Sequence, residues 1–296
     1  MRVVFFGHAQ YSLPCLRRLA AVPGVEIAAV VTRRTAPGYS DFCSLAPLAD
    51  ALGAPAVFAD EIPEGEWSAA LAAFAPDAAF AFGWATVLAR GVIDVFPSGI
   101  FGYHPAPLPR NRGHHPIVWA LALGLEETAS TVFQIDEGID TGAIVSQRPV
   151  PISLEDDARS LYDRLTLIAE DQIDAVATDL VRGTLRPVPQ DDSRSSIWRK
   201  RGPADGRIDW RMGARSICNL VRALTRPYVG AHCVVAGADV KIWRARIAEV
   251  AAPADLEPGR VLAALDRTFV VKCGDGAVEI VEHEAAAPPR VGACLR

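Results

Sequence analysis

The stretch GIFGYHPAPLPRNRGHHP, residues 99–116, concentrates proline, glycine and histidine. Proline and glycine fix an irregular backbone, so histidines on it are held in place. His104 sits in its first half, and an imidazole there suits proton transfer near neutral pH. A second polar loop, DEGIDTG at 136–142, carries Asp140 close to two glycines. A carboxylate brought from one loop to a histidine on another orients the ring and stabilises its charged form. The chemistry this implies is removal of a proton from a nucleophile. The competing reading is a rigid surface loop whose histidines are merely exposed.

The order of elements bears on that choice. Short apolar runs at 3–6, 25–32, 56–58, 77–82 and 100–103 read as strands. Between them, 12–19, 45–52, 67–74 and 87–95 read as helices. This alternation predicts an α/β domain with a largely parallel, Rossmann-like sheet. Ligands of such sheets bind beyond the carboxyl ends of the strands, where the residues after Phe82 and Tyr103 fall. A helix at 117–125, two strands at 129–135 and 144–149, and a long helix at 156–182 complete the domain, taken as residues 1–186. Residues 187–203 open on a tract rich in Pro, Asp and Ser and read as a linker. Residues 204–296 hold one helix at 216–225 and several short strands, a small β-rich domain of barrel (OB) type.

Composition narrows the class. The chain has 296 residues, half of them hydrophobic, enough for two cores. Its net charge of −5 argues against a general nucleic-acid binder. The N-terminus reads as a strand and not a signal peptide, and no run reaches the about 18 apolar residues of a membrane span. The six scattered cysteines form no CxxC pair, which predicts reduced thiols in the cytoplasm and no metal site. His8 and Gln10 end the first strand and are candidates to touch a substrate. Arg110 and Arg112 flank Asn111 and are candidates to meet a phosphate or carboxylate, with solvated arginines the alternative.

The segments HPAPLPRNRG, TVFQIDEGIDTG, DGRIDW and RALTRPYVGA resemble the formyltransferases that use N10-formyltetrahydrofolate. Those enzymes modify methionyl-tRNA, phosphoribosyl glycinamide or amino sugars on nucleotide carriers. GIFGYHPAPLP, DTGAIV and CGDGAVEIV look most like the sugar-nucleotide branch. The resemblance implies that His104 is the general base and Asp140 its orienting partner. It implies a pterin site against Phe82, Gly83, Trp84 and Val87 and against Ile135, Asp136, Glu137, Gly138 and the rest of the loop to Asp140. The family's third site residue is an Asn two positions before the His; here it is Gly102. Ala106 stands where the family usually has Ser. An oxyanion donor of that kind is worth about 2.7–4 kcal/mol in the transition state.

Three readings of Gly102 stay open. Another donor replaces the amide, with His114, His115 or a backbone N–H as candidates. The cavity left by Asn admits a bulkier donor, such as acetyl-CoA. Or the protein binds folate and amine but turns over slowly, as a folate-binding module. The acceptor implied is an amino sugar or related small amine of secondary metabolism, with a hydroxamate-type amine also open. Methionyl-tRNA is the alternative, against which the segment TRRTAPGYSDFCS is short and has only Arg33 and Arg34 basic. A homodimer is what the sugar branch implies.

Overall fold

The computed structural model describes residues 1–63 and 65–295 and divides into two compact units. The first comprises Met1–Pro116, Thr128–Val150 and Asp163–Trp198. Its strands are β1 (Arg2–Phe6), β2 (Glu26–Thr32), β3 (Ala56–Phe58), β4 (Ala78–Ala81), β5 (Ile100–His104), the short β6 (Arg112–Gly113), β7 (Glu127–Gln134), β8 (Ile144–Pro151) and the short β9 (Ile197–Trp198). Seven of these form one sheet in the order β3-β2-β1-β4-β5-β7-β8. The pairs from β3 to β5 are parallel, and β7 runs antiparallel to β5.

The strand runs are short and apolar because the sheet is covered on both faces. On β1, Val3 and Phe5 enter one core with Phe80, Phe82 and Phe101. Val4 and Phe6 enter the other with Ala79, Ala81 and Phe96. The first face is closed by α1 (Ser12–Ala20) through Cys15, Leu16 and Leu19, by α2 (Ala46–Ala51), and by Ala169, Ile173, Val176 and Ala177 of the long helix Ala158–Arg182. The second is closed by α3 (Trp67–Ala72) and α4 (Arg90–Ile93) through Leu71 and Val92.

Two expectations change. The helix read over 87–95 shrinks to Arg90–Ile93. Val87 is β-branched, a poor helix former, and Leu88 turns into the core instead. The segment 187–196 is no free linker. Val188 exchanges backbone hydrogen bonds with Ile144, Ser196 accepts from the Arg112 amide, and β9 pairs in parallel with β6. Its backbone is tied to the rest of the first unit at these points, while most of its side chains stay exposed.

The second unit comprises Ile117–Glu127, Pro151–Tyr162 and Arg199–Arg296. It takes most of α5 (Pro116–Ala122) and the first turn of α6 (Ala158–Arg182), and contains α7 (Ala214–Leu224). Its strands β10 (Ala231–Val235), β11 (Ala238–Ile247), β12 (Val261–Leu265), β13 (Thr268–Lys272) and β14 (Ala277–His283) form an antiparallel sheet in the order β10-β11-β14-β13-β12. The strongly amphipathic α7 buries Ile217, Leu220, Val221 and Leu224 and packs against β10, β11 and β14. Trp210 is buried, whereas Trp243 is half-buried and carries the Arg226 guanidinium over its ring. Arg222 donates to the carbonyls of Ser153 and Asp156, which ties α7 to the segment before α6.

Ile173 lies wholly within the first core, so Ile173→Ala is expected to destabilise the protein by about 2–5 kcal/mol. Chemical denaturation measures this, and a loss under about 1 kcal/mol would contradict the packing described.

Candidate active site

The end of β5 carries His104 into a groove between two loops, 105–115 and 136–142. The ring is 5% exposed. Its Nε2 lies 2.8 Å from the Asn111 carbonyl oxygen, and its Nδ1 lies 3.6 Å from Asp140 Oδ2. A carbonyl only accepts, so Nε2 carries a proton. In the neutral ring, Nδ1 therefore holds the free lone pair, on the side of the carboxylate. A proton taken up at Nδ1 would face Asp140 directly. The arrangement fixes the ring's tautomer on one side and sets a carboxylate facing it on the other.

Both loops are strained and held. Asn111, His115 and Asp140 have φ of 65°, 56° and 54°, in the left-handed region that non-glycine residues seldom adopt. Strain of this kind costs about 1–3 kcal/mol per residue and persists where the surroundings over-determine it. Here Thr128 Oγ1 donates to the Pro105 carbonyl, Thr131 Oγ1 to that of Ala106 and Gln147 Nε2 to that of Leu108. The Gly113 amide donates to Asp140 Oδ2 at 2.8 Å, and the Asn111 amide to Ser196 Oγ at 2.9 Å. In the second loop, Asp136 Oδ1 accepts from the Gly138 amide and Thr141 Oγ1. Gly142 is required there, because a Cβ would sit 1.8 Å from the Gln134 carbonyl oxygen.

Position 102 offers no cavity. A Cβ on Gly102 would lie 2.9 Å from Ile135 Cγ1 and 3.1 Å from Phe133 Cε1. The space expected to admit a bulkier acyl donor is filled by these two side chains. The neighbouring amides are engaged as well. Those of Ala106, Leu108, Arg110, Asn111, Arg112, Gly113 and His114 all have partners within the protein. His114 and His115 are exposed, with ring centroids 6.2 Å apart.

The remaining candidates divide. Arg112 is 4% exposed, and its guanidinium is bound by Gln190 and Asp192, so it is built into the loop rather than open to a substrate. Arg110 is exposed. Phe82 is buried and stacks on Tyr103 at 5.2 Å. Gly83 accepts from the His8 amide, and Trp84 packs on Phe6 and Trp67. Val87 is 64% exposed, Ile135 is half-buried, and Asp136, Glu137 and Gly138 are exposed. Arg90 reaches Glu137 at 3.4 Å, which brings the segment after β4 to the 136–138 turn. Gln10 is exposed, and its amide donates to the Asp41 carbonyl.

His8 lies apart from the others. It follows β1 at the point where the strand order reverses, 2% exposed, with neither ring nitrogen hydrogen-bonded. Tyr39, Phe42 and Trp84 surround it, with centroids 5.0, 6.5 and 5.4 Å away. Burial, and then the charge of Arg33, pushes its pKa down, so the ring is neutral. Sequence reasoning missed Gln190, Ser196, Thr131 and Gln147. The first two lie in the Pro- and Ser-rich tract; Thr131 is buried and Gln147 exposed on strands whose alternation flags only apolar residues.

The first unit is an α/β platform with a histidine–carboxylate pair at the strand ends, the equipment of a proton-assisted group transferase. Residues 1–175 match the family described as formyl transferase, and residues 201–293 match the formyl transferase C-terminal domain. The chain belongs to the formyl transferase family, whose members transfer one-carbon groups. It is 33% identical over 286 residues to the methionyl-tRNA formyltransferase of Anaeromyxobacter dehalogenans, covering 95% of this chain and 91% of that one. Its fold matches WlaRD, a sugar 3N-formyltransferase solved with dTDP and 5-N-formyl-THF, at a TM-score of 0.71 and 19% identity, over 96% of this chain and 97% of that one. It also matches the Helicobacter canadensis N-formyltransferase in complex with folinic acid and dTDP-3-aminofucose, at 0.69 and 18%, over 95% and 99%. Among the described residues no helix is long and apolar enough to cross a membrane.

Unfolded, His8 titrates near 6.5; folded, it titrates lower. Between the two values the unfolded chain binds the extra proton, so this contribution to stability is full above about 6.5 and lost as the pH falls. His8→Phe keeps an aromatic ring in the box and removes both unmet nitrogens. Its melting temperature is expected to exceed that of the wild type and to fall less between pH 6.5 and 5. Parallel melting curves for the two proteins across that range would remove His8 as the source.

Proposed function

We propose that the chain is an N-formyltransferase that takes formyl from N10-formyltetrahydrofolate and places it on the amine of a nucleotide-linked amino sugar or a related small metabolite. The observation that carries the transfer chemistry is His104, with Nε2 bound to the Asn111 carbonyl and Nδ1 facing Asp140. As the acceptor nitrogen bonds to the formyl carbon it loses a proton, and His104 Nδ1 takes it. Asp140 offsets the charge that appears on the ring. The proton is then available to N10 as its bond to the formyl carbon breaks, and tetrahydrofolate leaves. The exposed Val87 face and the Asp136–Gly138 turn, joined by the Arg90–Glu137 pair, fit a flat heterocycle with a donor–acceptor edge.

The formyl oxygen still needs a donor. The amides from Ala106 to His114 are engaged and position 102 is packed, which favours a side chain, and the exposed His114 imidazole is the one assigned. His114→Ala is expected to lower kcat by about 10²-fold and His104→Ala to abolish turnover. A His104→Ala protein with wild-type rates would sink the mechanism.

A small acceptor is favoured by the fate of the two arginines after β2. Arg34 pairs with Glu61, and Arg33 lies over Trp84 and donates to Thr86, so neither is free for a phosphate backbone. Methionyl-tRNA is the second reading, favoured by the 33% identity and by residues 199–296, which hold 16 Lys and Arg against 11 Asp and Glu. The test supplies N10-formyltetrahydrofolate with UDP- and dTDP-linked amino sugars or with methionyl-tRNA, and follows tetrahydrofolate release. The expected result is kcat/KM at least about 100-fold higher for an amino sugar. The reverse preference, with a steep loss of rate as salt rises, would establish tRNA instead.

A further inference from the structure

We propose that Gln190 is a positioning residue that sets the Asp140 carboxylate against His104, and so governs the rate of proton transfer rather than the binding of either substrate. This rests on the formyl-transfer reading of the site. Gln190 belongs to the segment between α6 and β9, outside both active-site loops.

Its amide touches both loops at once. Nε2 donates to the Asp140 carbonyl at 2.8 Å and to the Gly142 carbonyl at 2.7 Å. Oε1 accepts from Arg112 Nε at 3.2 Å and Nη2 at 2.8 Å. Two N–H donors and two lone pairs are all that a primary amide offers, so its capacity is fully used. The partners on either side are themselves constrained. Asp140 is left-handed, and Gly142 has no room for a side chain. Arg112 is buried and also held by Asp192 at 2.7 Å.

These contacts close a ring. The Asp140 carboxylate accepts from the Gly113 amide, Gly113 follows Arg112, the Arg112 guanidinium grips Gln190, and Gln190 returns to the Asp140 carbonyl. Inside such a ring the carboxylate cannot swing without breaking a hydrogen bond elsewhere. Its 3.6 Å separation from His104 Nδ1 therefore depends on a side chain that holds the Asp140 backbone and not its carboxylate. Misplacement of a reacting group by about 1 Å can cost 10²-fold in rate.

Gln190→Glu separates this role from a general contribution to folding. The carboxylate keeps its grip on Arg112 and strengthens it as an ion pair, but it presents lone pairs to the Asp140 and Gly142 carbonyls. Asp191→Ala, a change at the exposed neighbour whose side chain bonds only within its own turn, is the control. Three quantities are measured on the full chain: kcat and KM with N10-formyltetrahydrofolate and hydroxylamine as a surrogate amine, the Kd of 5-formyltetrahydrofolate, and hydrogen exchange at the Gly113 amide and across residues 134–144. For Gln190→Glu, kcat should fall at least about tenfold while KM and Kd stay within about threefold. Exchange should accelerate at Gly113 and in 134–144, with Asp191→Ala behaving as wild type. Undiminished kcat, a loss carried by KM, or unchanged exchange at Gly113 would each overturn the proposal. If the wild type transfers formyl to no amine, the formyl-transfer reading fails, and the exchange measurement alone then decides whether Gln190 holds Asp140.

Discussion

The hydrogen bond between His104 Nε2 and the Asn111 carbonyl is the constraint on which the site depends. It decides which ring nitrogen has a lone pair to offer, and it points that nitrogen at Asp140. For the carbonyl to lie there, Asn111 must be left-handed, which asparagine tolerates better than most residues. For Asn111 to stay there, Ser196 must hold its amide. The ring's tautomer is thus fixed by a backbone oxygen seven residues along the chain, and that oxygen by a hydroxyl 85 residues further on.

The sheet and the loops divide the work. The strands are buried on both faces and supply a stiff edge; the loops beyond it carry the strain. Threonine and glutamine side chains from β7 and β8 join the two by donating to loop carbonyls. Position 102 shows how tight this edge is. Ile135 and Phe133 occupy the room a side chain there would need, which suits glycine at that position.

Much of this was legible in the sequence. The α/β alternation and the strands leading to Phe82 and His104 follow from apolar periodicity, and the juxtaposition of His104 and Asp140 from the family resemblance of the two loops that carry them. What was hidden has a common cause. Arg112 reads as a free cation because the sequence does not show that Gln190 and Asp192 return to it from 78 and 80 residues away. Residues 187–196 read as a linker because polar residues that bond to a neighbouring loop have the same composition as residues that bond to water. His8 reads as a polar strand end, and only the surrounding rings of Tyr39, Phe42 and Trp84 show that it is buried.

The two-residue parallel pairing of β6 with β9 joins positions 112–113 to 197–198. Contacts so distant along the chain form late, because the loop they close must first give up its entropy. During synthesis the sheet up to β5 can assemble long before β9 emerges, but the loop bearing His104 lacks the segment that gives it shape. The shape of the His104 loop therefore depends on a segment made near the end of the first unit, and a chain interrupted before residue 197 would lack the strand that pairs with 112–113.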